Sequence, residues 1–240
     1  NSNAYVTSQY FDYQRRITNN IYGTFGARFD EHSLAGGTGS NEDSHRATLA
    51  YVFDDKTTKL KSSYGTGYRF PSLFEMKYAY RAGSNTLPFV KAETSQSYDF
   101  GIEKSISPNL FIDLTYFNVK YFNALEGWKS NTAGGTSSTQ NTIATVKSQG
   151  IELMSKYKLN EFFNFGLNYT YTSSYDGADE DNLSGPDSGS QMVRVPRNLV
   201  NLITNIKVPA YKDLDITLRT KWSDKARDYG NGNATSDKSP

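Results

Sequence analysis

Tyr64-Gly65-Thr66-Gly67-Tyr68-Arg69-Phe70-Pro71-Ser72-Leu73-Phe74-Glu75, answered after a long interval by Glu93-Thr94-Ser95-Gln96-Ser97-Tyr98-Asp99-Phe100-Gly101-Ile102-Glu103, decides the fold. In the second stretch Tyr98, Phe100 and Ile102 alternate with Asp99, Gly101 and Glu103, the period-two pattern of a strand with one apolar and one polar face. In the first, Tyr64 to Arg69 read as the preceding strand. Pro71 ends its pairing, because proline has no N–H to give to a ladder. The two strands are expected to run antiparallel, with the chain from Phe70 to Thr94 as the loop between them.

The same alternation recurs from end to end, while helical periodicity is nearly absent. Ile21, Gly23, Phe25, Ala27 and Phe29 oppose Tyr22, Thr24, Gly26, Arg28 and Asp30, and Phe163, Phe165, Leu167, Tyr169 and Tyr171 oppose Asn164, Gly166, Asn168, Thr170 and Thr172. The pattern predicts ten strands, roughly at residues 3–15, 20–32, 44–54, 57–69, 95–105, 109–123, 143–157, 162–175, 193–207 and 213–228. Their connections alternate in length. Short ones fall at 17–19, 55–56, 106–108, 158–161 and 208–212; long ones, rich in Gly, Ser, Asn and Thr, fall at 33–43, 70–94, 124–142 and 175–192.

Short turns at one rim and long loops at the other are the organisation of a bacterial transmembrane β-barrel, with the long loops outside the cell. The strands are also longer than the five or six residues (roughly) usual in soluble sandwiches, and when tilted would cross a bilayer. The expected fold is therefore all-β, an antiparallel up-and-down transmembrane barrel contributing about ten strands to a larger one.

Composition fits this reading without requiring it. The 240 residues hold 18 Tyr and 14 Phe but only 2 Trp, with 36% hydrophobic content, so a polar chain carries many rings suited to an apolar-to-water boundary. A soluble β-rich domain would be aromatic too. A net charge of +1 without a basic stripe gives no nucleic-acid footprint. The lack of cysteine excludes disulfides and thiolate-held zinc or iron–sulfur sites. No apolar run is long enough for a transmembrane helix, and no signal peptide precedes the first alternating segment.

The charges on the polar faces, Arg28, Asp30, Arg46, Asp99, Glu103, Asp113, Glu152, Lys156, Asp215 and Arg219, cannot face hydrocarbon cheaply, since Arg or Lys at the midplane costs about 2–4 kcal/mol. They are expected to face the lumen, where they either pair across strands or meet whatever fills it.

The opening segment resembles the barrel signature of TonB-dependent outer-membrane receptors, in which a strand ending in a "YGxGFRxPxLxEL" run meets a long loop and the next strand opens with "PExSxSYExGxE". Phe70 stands where that family often has Ala, and Lys91-Ala92-Glu93 where Lys-Pro-Glu is common. Further stretches resemble the family in the same order: Asn109 to Asn118 its "nlxlxltyFyn" strand, Val146 to Leu153 its "akxxGvElex", Phe165 to Thr172 its "lxxnYtyt", and Val195-Pro196-Arg197-Asn198 its "RxPxn" rim motif. Individually weak, in this order they are specific. Within the family, spacing and loop lengths look most like the vitamin B12 (cobalamin) receptor group.

The resemblance implies a 22-stranded outer-membrane barrel with an N-terminal plug carrying the TonB box, energised by the TonB–ExbB–ExbD complex, and taking up a scarce chelate, cobalamin or a ferric siderophore, without catalysis. It implies that residues 1–240 belong to the second half of the barrel, with plug and last strands outside them. Arg28, Asp30, Arg46, Asp99, Glu103 and Glu152 would then line the lumen and hydrogen-bond to the plug. Such a sheet alone would expose two unpaired edges, which hydrocarbon does not tolerate, so it is expected not to function by itself. A passive porin or adhesin on a similar barrel, and more distantly a soluble carbohydrate-binding domain, are the other readings.

Ligand candidates lie in the long loops. Tyr78, Tyr80, Arg81, Asn85 and Phe89 occupy the longest, Trp128 the next, and Arg194 and Arg197 the rim of another. Aromatic faces and Arg forks suit large chelates that are partly apolar and partly anionic, although an interfacial aromatic belt would also explain rings at strand ends. His32 and His45, with Glu31, Glu42 and Asp43, cluster about one loop, but exposed loop residues are the expected reading and no metal site is assigned. Asp176, Asp179, Glu180, Asp181 and Asp187 crowd another loop without the closing Glu of an EF-hand. A solvated acidic loop is expected there, with loop calcium as the alternative and no other cofactor.

Overall fold

The computed structural model describes residues 4–34, 40–72, 91–131, 136–141, 145–177, 191–192, 194–211, 214–229 and 235–238. Ten strands form one antiparallel sheet: β1 (Ala4–Arg16), β2 (Ile21–Leu34), β3 (Ser40–Val52), β4 (Thr58–Arg69), β5 (Glu93–Ser107), β6 (Leu110–Phe122), β9 (Thr145–Lys158), β10 (Phe163–Gly177), β11 (Asn198–Lys207) and β12 (Asp215–Ser223). Each pairs with its sequence neighbour, except that β6 pairs directly with β9. The segment between them forms a separate hairpin of β7 (Leu125–Asn131) and β8 (Thr136–Asn141), and a second small hairpin joins β13 (Ala226–Tyr229) to β14 (Thr235–Lys238). Both hairpins fall where sequence alternation predicted loop or continued strand.

The short connections share one rim, and side chains close them. The Thr18 hydroxyl accepts the N–H groups of Asn20 and Ile21 at 3.2 and 3.1 Å. Asp55 accepts those of Thr57 and Thr58 at 2.8 and 3.0 Å, while Lys56 takes a left-handed φ of 56°. Asn160 accepts those of Phe162 and Phe163, both at 2.9 Å. Short polar side chains that bond their own backbone favour turns over continued strand, so each reversal is written locally.

Register assigns the two faces. Leu60, Ile102, Leu114, Leu153, Tyr169, Val200 and Trp222 form one continuous cross-strand row. The flanking rows are mostly apolar, with Phe100, Tyr116, Ile151 and Tyr171 between Ser62 and Asn198 on one side, and Ile112, Leu167 and Leu202 interrupted by Ser155 and ended by Lys104 and Thr220 on the other. These side chains point away from the protein: Phe100 is 55% exposed and Leu218 54%, whereas Ala92 is the one buried hydrophobic among the described residues. A sheet with its apolar groups outward and no apolar interior is stable against hydrocarbon, not water. No described helix is long and apolar enough to cross a membrane, and the crossing is made by strands.

Gly150 fixes where β9 meets β10. A Cβ built there would lie 1.9 Å from the Tyr171 carbonyl oxygen and 2.8 Å from the Phe117 ring, so only glycine allows that approach.

Candidate functional site

The face opposite the apolar rows carries the charge. Arg28 and Asp30 on β2, Arg46 on β3, Asp99 and Glu103 on β5 and Glu152 on β9 all lie on it, as do Lys59, Lys61 and Asp113. At its centre the Lys61 ammonium donates to Asp113 at 2.6 Å and lies 3.3 Å from Glu103, which also pairs with Lys59 at 2.7 Å. The Thr115 hydroxyl donates to Asp113 at 3.1 Å, and that of Ser63 to Asp99. Lys61, Gly101 and Thr115 are consecutive members of one cross-strand row, and a Cβ at Gly101 would lie 2.7 Å from Lys61 Cε. Glycine there opens the path by which Lys61 crosses β5 to reach β6.

A second cluster sits towards the long-loop rim. Arg28 Nε donates to Asp30 at 2.9 Å and its Nη2 to the Ser8 hydroxyl at 3.1 Å, and Arg46 pairs with Asp12. Asp30 and His32 are buried. The β3–β4 ladder stops at Arg46 and Gly65; the His45 N–H turns to the Thr66 hydroxyl at 2.8 Å. Beyond this point the Phe70 ring stacks on His32, with centroids 4.6 Å apart, and Tyr68 meets Phe70 edge-on at 5.3 Å. The charged wall thus ends in an aromatic shelf where the longest loop begins.

Residues 191–192 and 194–197 approach the same rim beside β10. Backbone bonds from the Met192 N–H to the Ser174 carbonyl at 2.7 Å and from the Thr172 N–H to the Arg197 carbonyl at 2.8 Å hold them there, and the Gln191 side chain adds to these, accepting the Ser174 N–H at 3.1 Å and donating to the carbonyls of Thr172 and Val195, both at 3.2 Å. Arg194 has φ 63°, which breaks the extended backbone expected from residue 193 onward, so β11 starts at Asn198. Arg194 and Arg197 are both exposed here.

Trp128 lies in strand β7 of the off-sheet hairpin, where sequence reading had placed it in a loop. Tyr78, Tyr80, Arg81, Asn85 and Phe89 lie outside the described residues, as do Asp179, Glu180, Asp181 and Asp187. The two histidines do not converge. His32 belongs to the charged face of β2 and His45 to the apolar face of β3, where it bonds Asp43 at 2.6 Å and meets the Phe29 ring. Among the described residues no three His, Cys, Asp or Glu side chains group as a metal site.

Compared with known proteins, the chain matches the family described as TonB dependent receptor-like, beta-barrel, over residues 1–240. No curated protein sequence matches it. Among solved structures it is similar to the FrpB iron transporter from Neisseria meningitidis at 16% identity and a TM-score of 0.70, covering 94% of this chain and 34% of that one. The ferric-catecholate import receptor Fiu from E. coli K12 gives 14% identity and 0.72, with 98% and 37% covered. The copper transporter OprC gives 13% and 0.67, with 86% and 34% covered. The chain spans about a third of the length of these structures.

Proposed function

The chain belongs to the TonB-dependent receptor β-barrel family, and from that premise we propose that it forms part of the wall and outer vestibule of a receptor for active uptake of a metal-bearing chelate, a ferric siderophore or cobalamin. The family consists of outer-membrane receptors and transporters, not enzymes. The observation that carries the proposal is the match over the whole of residues 1–240, and the two-faced wall agrees with it. Apolar rows meet lipid on one side. On the other, an ion-paired surface spanning β4, β5 and β6 offers fixed carboxylates and amines to a folded plug. Of the three solved structures named above, two are called iron and copper transporters and one a ferric-catecholate import receptor, which supports a metal-bearing cargo.

In this reading the loops beyond the His32–Phe70 shelf, with Tyr78, Tyr80, Arg81, Asn85 and Phe89, together with Trp128, Arg194 and Arg197, hold the chelate by ring faces and guanidinium forks. Arg28, Asp30, Arg46, Asp99, Glu103 and Glu152 contact the plug, and TonB–ExbB–ExbD acts through the plug. Binding and uptake of cyanocobalamin and ferric siderophores by cells carrying the full-length receptor, with and without Trp128→Ala or Arg81→Ala, test this. Energy-dependent uptake of one chelate, weakened by either substitution, is expected. Uptake unaffected by collapse of the inner-membrane gradient would make the barrel a passive porin, and substitutions without effect on any chelate would remove those residues from the site.

A further inference from the structure

The charged face changes character between β6 and β9. On β4, β5 and β6 its amines and carboxylates pair with one another. On β9 and β12 it carries four exposed cations, Lys156, Lys158, Arg219 and Lys221, and among the described residues none of them meets a carboxylate. Asp113, two positions from the register partner of Lys156, is taken by Lys61 at 2.6 Å. Glu152 stands four positions from Lys156 along β9, about 13 Å away, and Asp215 lies opposite Lys207.

Asparagines fill the space between the cations. Lys156 and Arg219 end one cross-strand row with only Gly166 and Ile203 between them. One row towards the short turns Asn164 faces Asn205, and one row the other way Asn168 faces Asn201. Asn205 accepts the Thr217 hydroxyl at 2.9 Å, which leaves its amide N–H groups to donate elsewhere. A Cβ at Gly166 would touch nothing nearer than Ile203 at 3.8 Å, so the floor of the row is open. Over it lies a hollow of about 450 Å³, lined on this face by Phe111, Lys156, Lys158, Asn164, Gly166 and Asn205, within the roughly 300–1,000 Å³ of small-molecule sites. β9 and β12 are three strand spacings apart, about 14 Å, so the long side chains of Lys156 and Arg219 can reach one bound group from opposite sides.

Ammonium, guanidinium and amide N–H groups are all donors, and together they suit the oxygens of an anion. Lys158 closes β9 and Asn164 is the second residue of β10, which puts the hollow at the short-turn rim. With the long loops outward, that rim is where cargo leaves the barrel. We infer that Lys156, Lys158 and Arg219, with the amides of Asn164 and Asn205, form an exit site on the inner wall for a ferric chelate whose surface carries carboxylate or catecholate oxygens. The site rests on the uptake reading proposed above and narrows its cargo to an anionic chelate.

The test is amine acylation of the full-length receptor in nanodiscs, followed residue by residue by mass spectrometry. Ferric tris-catecholate and ferric citrate serve as anionic probes and a neutral ferric trihydroxamate as control. With an anionic probe at about four times its half-saturating concentration, acylation of Lys156 is expected to slow about fivefold, while Lys207, set opposite Asp215 at the same rim, keeps its rate. The neutral chelate should protect neither. R219Q should lose the protection of Lys156, and R219K should keep it. Equal protection by neutral and anionic chelates, or none by either, overturns the site in a comparison that needs no variant to fold. A Lys156 that resists acylation before any chelate is added also overturns it, since the patch is then covered by another part of the receptor. Protection undiminished in R219Q refutes a grip shared by the two strands. Gradient-driven uptake by cells is read separately: uptake without protection leaves the receptor reading standing and removes this site, and protection without uptake does the reverse.

Discussion

The ammonium of Lys61 lies 2.6 Å from the carboxylate of Asp113 although a whole strand, β5, runs between them. The bond exists because the residue crossed is Gly101. A glycine in mid-strand weakens local structure, and here the loss is offset by an ion pair that ties β4 to β6. With side chains only 29% and 15% exposed, the pair is more protected than a surface salt bridge.

A double-mutant cycle on Lys61→Met and Asp113→Asn should therefore return a coupling of about 1 kcal/mol or more, read from urea unfolding of the barrel in detergent micelles. In a Gly101→Ala background the coupling should vanish. Coupling that survived the added methyl group would show that glycine is not what opens the path.

Gly150→Ala should cost about 2 kcal/mol, in the range found for overpacking. At Gly101 a would-be Cβ meets the side-chain ends of Thr115 at 2.6 Å and Lys61 at 2.7 Å, with backbone no nearer than 3.1 Å, whereas at Gly150 it faces the Tyr171 carbonyl at 1.9 Å. The backbone cannot withdraw without opening the β9–β10 ladder, so amide exchange should rise from 148 to 152 and from 170 to 174 and stay unchanged in β1 and β2. Uniform exchange would count against a local cause.

Leu153→Arg and Glu152→Gln differ by one position and by the face they occupy. The first places a charge in the row of Leu114 and Tyr169 and should cost about 2–4 kcal/mol near the midplane. The second, on the polar face, should fall within about 0.5 kcal/mol of the parent. Heat-modified mobility of the folded barrel on gels gives the comparison, and similar losses would reverse the face assignment.

Asp55 makes the β3–β4 turn sensitive to acid. The Thr57 N–H and the Lys104 ammonium, with the Thr58 hydroxyl, hold its carboxyl well below the usual carboxylate range. A depressed folded value means that the stabilisation is present above the unfolded value of about 3.9 and is lost as pH falls through the folded one. Asp55→Asn should flatten the acid limb of barrel stability below about pH 4 and leave neutral uptake unchanged. An acid limb that keeps its slope in the variant would place the titration elsewhere.

The ten strands of the main sheet and the two faces of its alternating stretches were legible in the sequence because period-two alternation reports directly which residues share a side. Three features were not. In the β7–β8 hairpin Leu125 and Trp128 are three apart, off the period of two, and β8 holds only Thr, Ser, Gln and Asn, so no alternating apolar signal marks it. Val193-Arg194-Val195 alternates like a strand, yet Arg194 turns left-handed, and the Gln191 side chain bonds the Thr172 and Val195 carbonyls between the backbone bonds made by Met192 and Arg197. His32 and His45 look adjacent across a hairpin, but register puts them on opposite faces of the sheet. The Lys61–Asp113 pair depends on the register of three strands at once, information that no single window of sequence holds. The loop residues around Arg81 were chosen by chemistry alone, and their test is binding, not geometry.

The direct pairing of β6 with β9 leaves the β7–β8 hairpin attached to the wall by its two stems and absent from its ladder. Lengthening, shortening or rewriting that hairpin changes no register and moves no side chain from one face to the other. Selection can therefore rewrite this appendage freely without re-solving the assembly of the sheet that carries it.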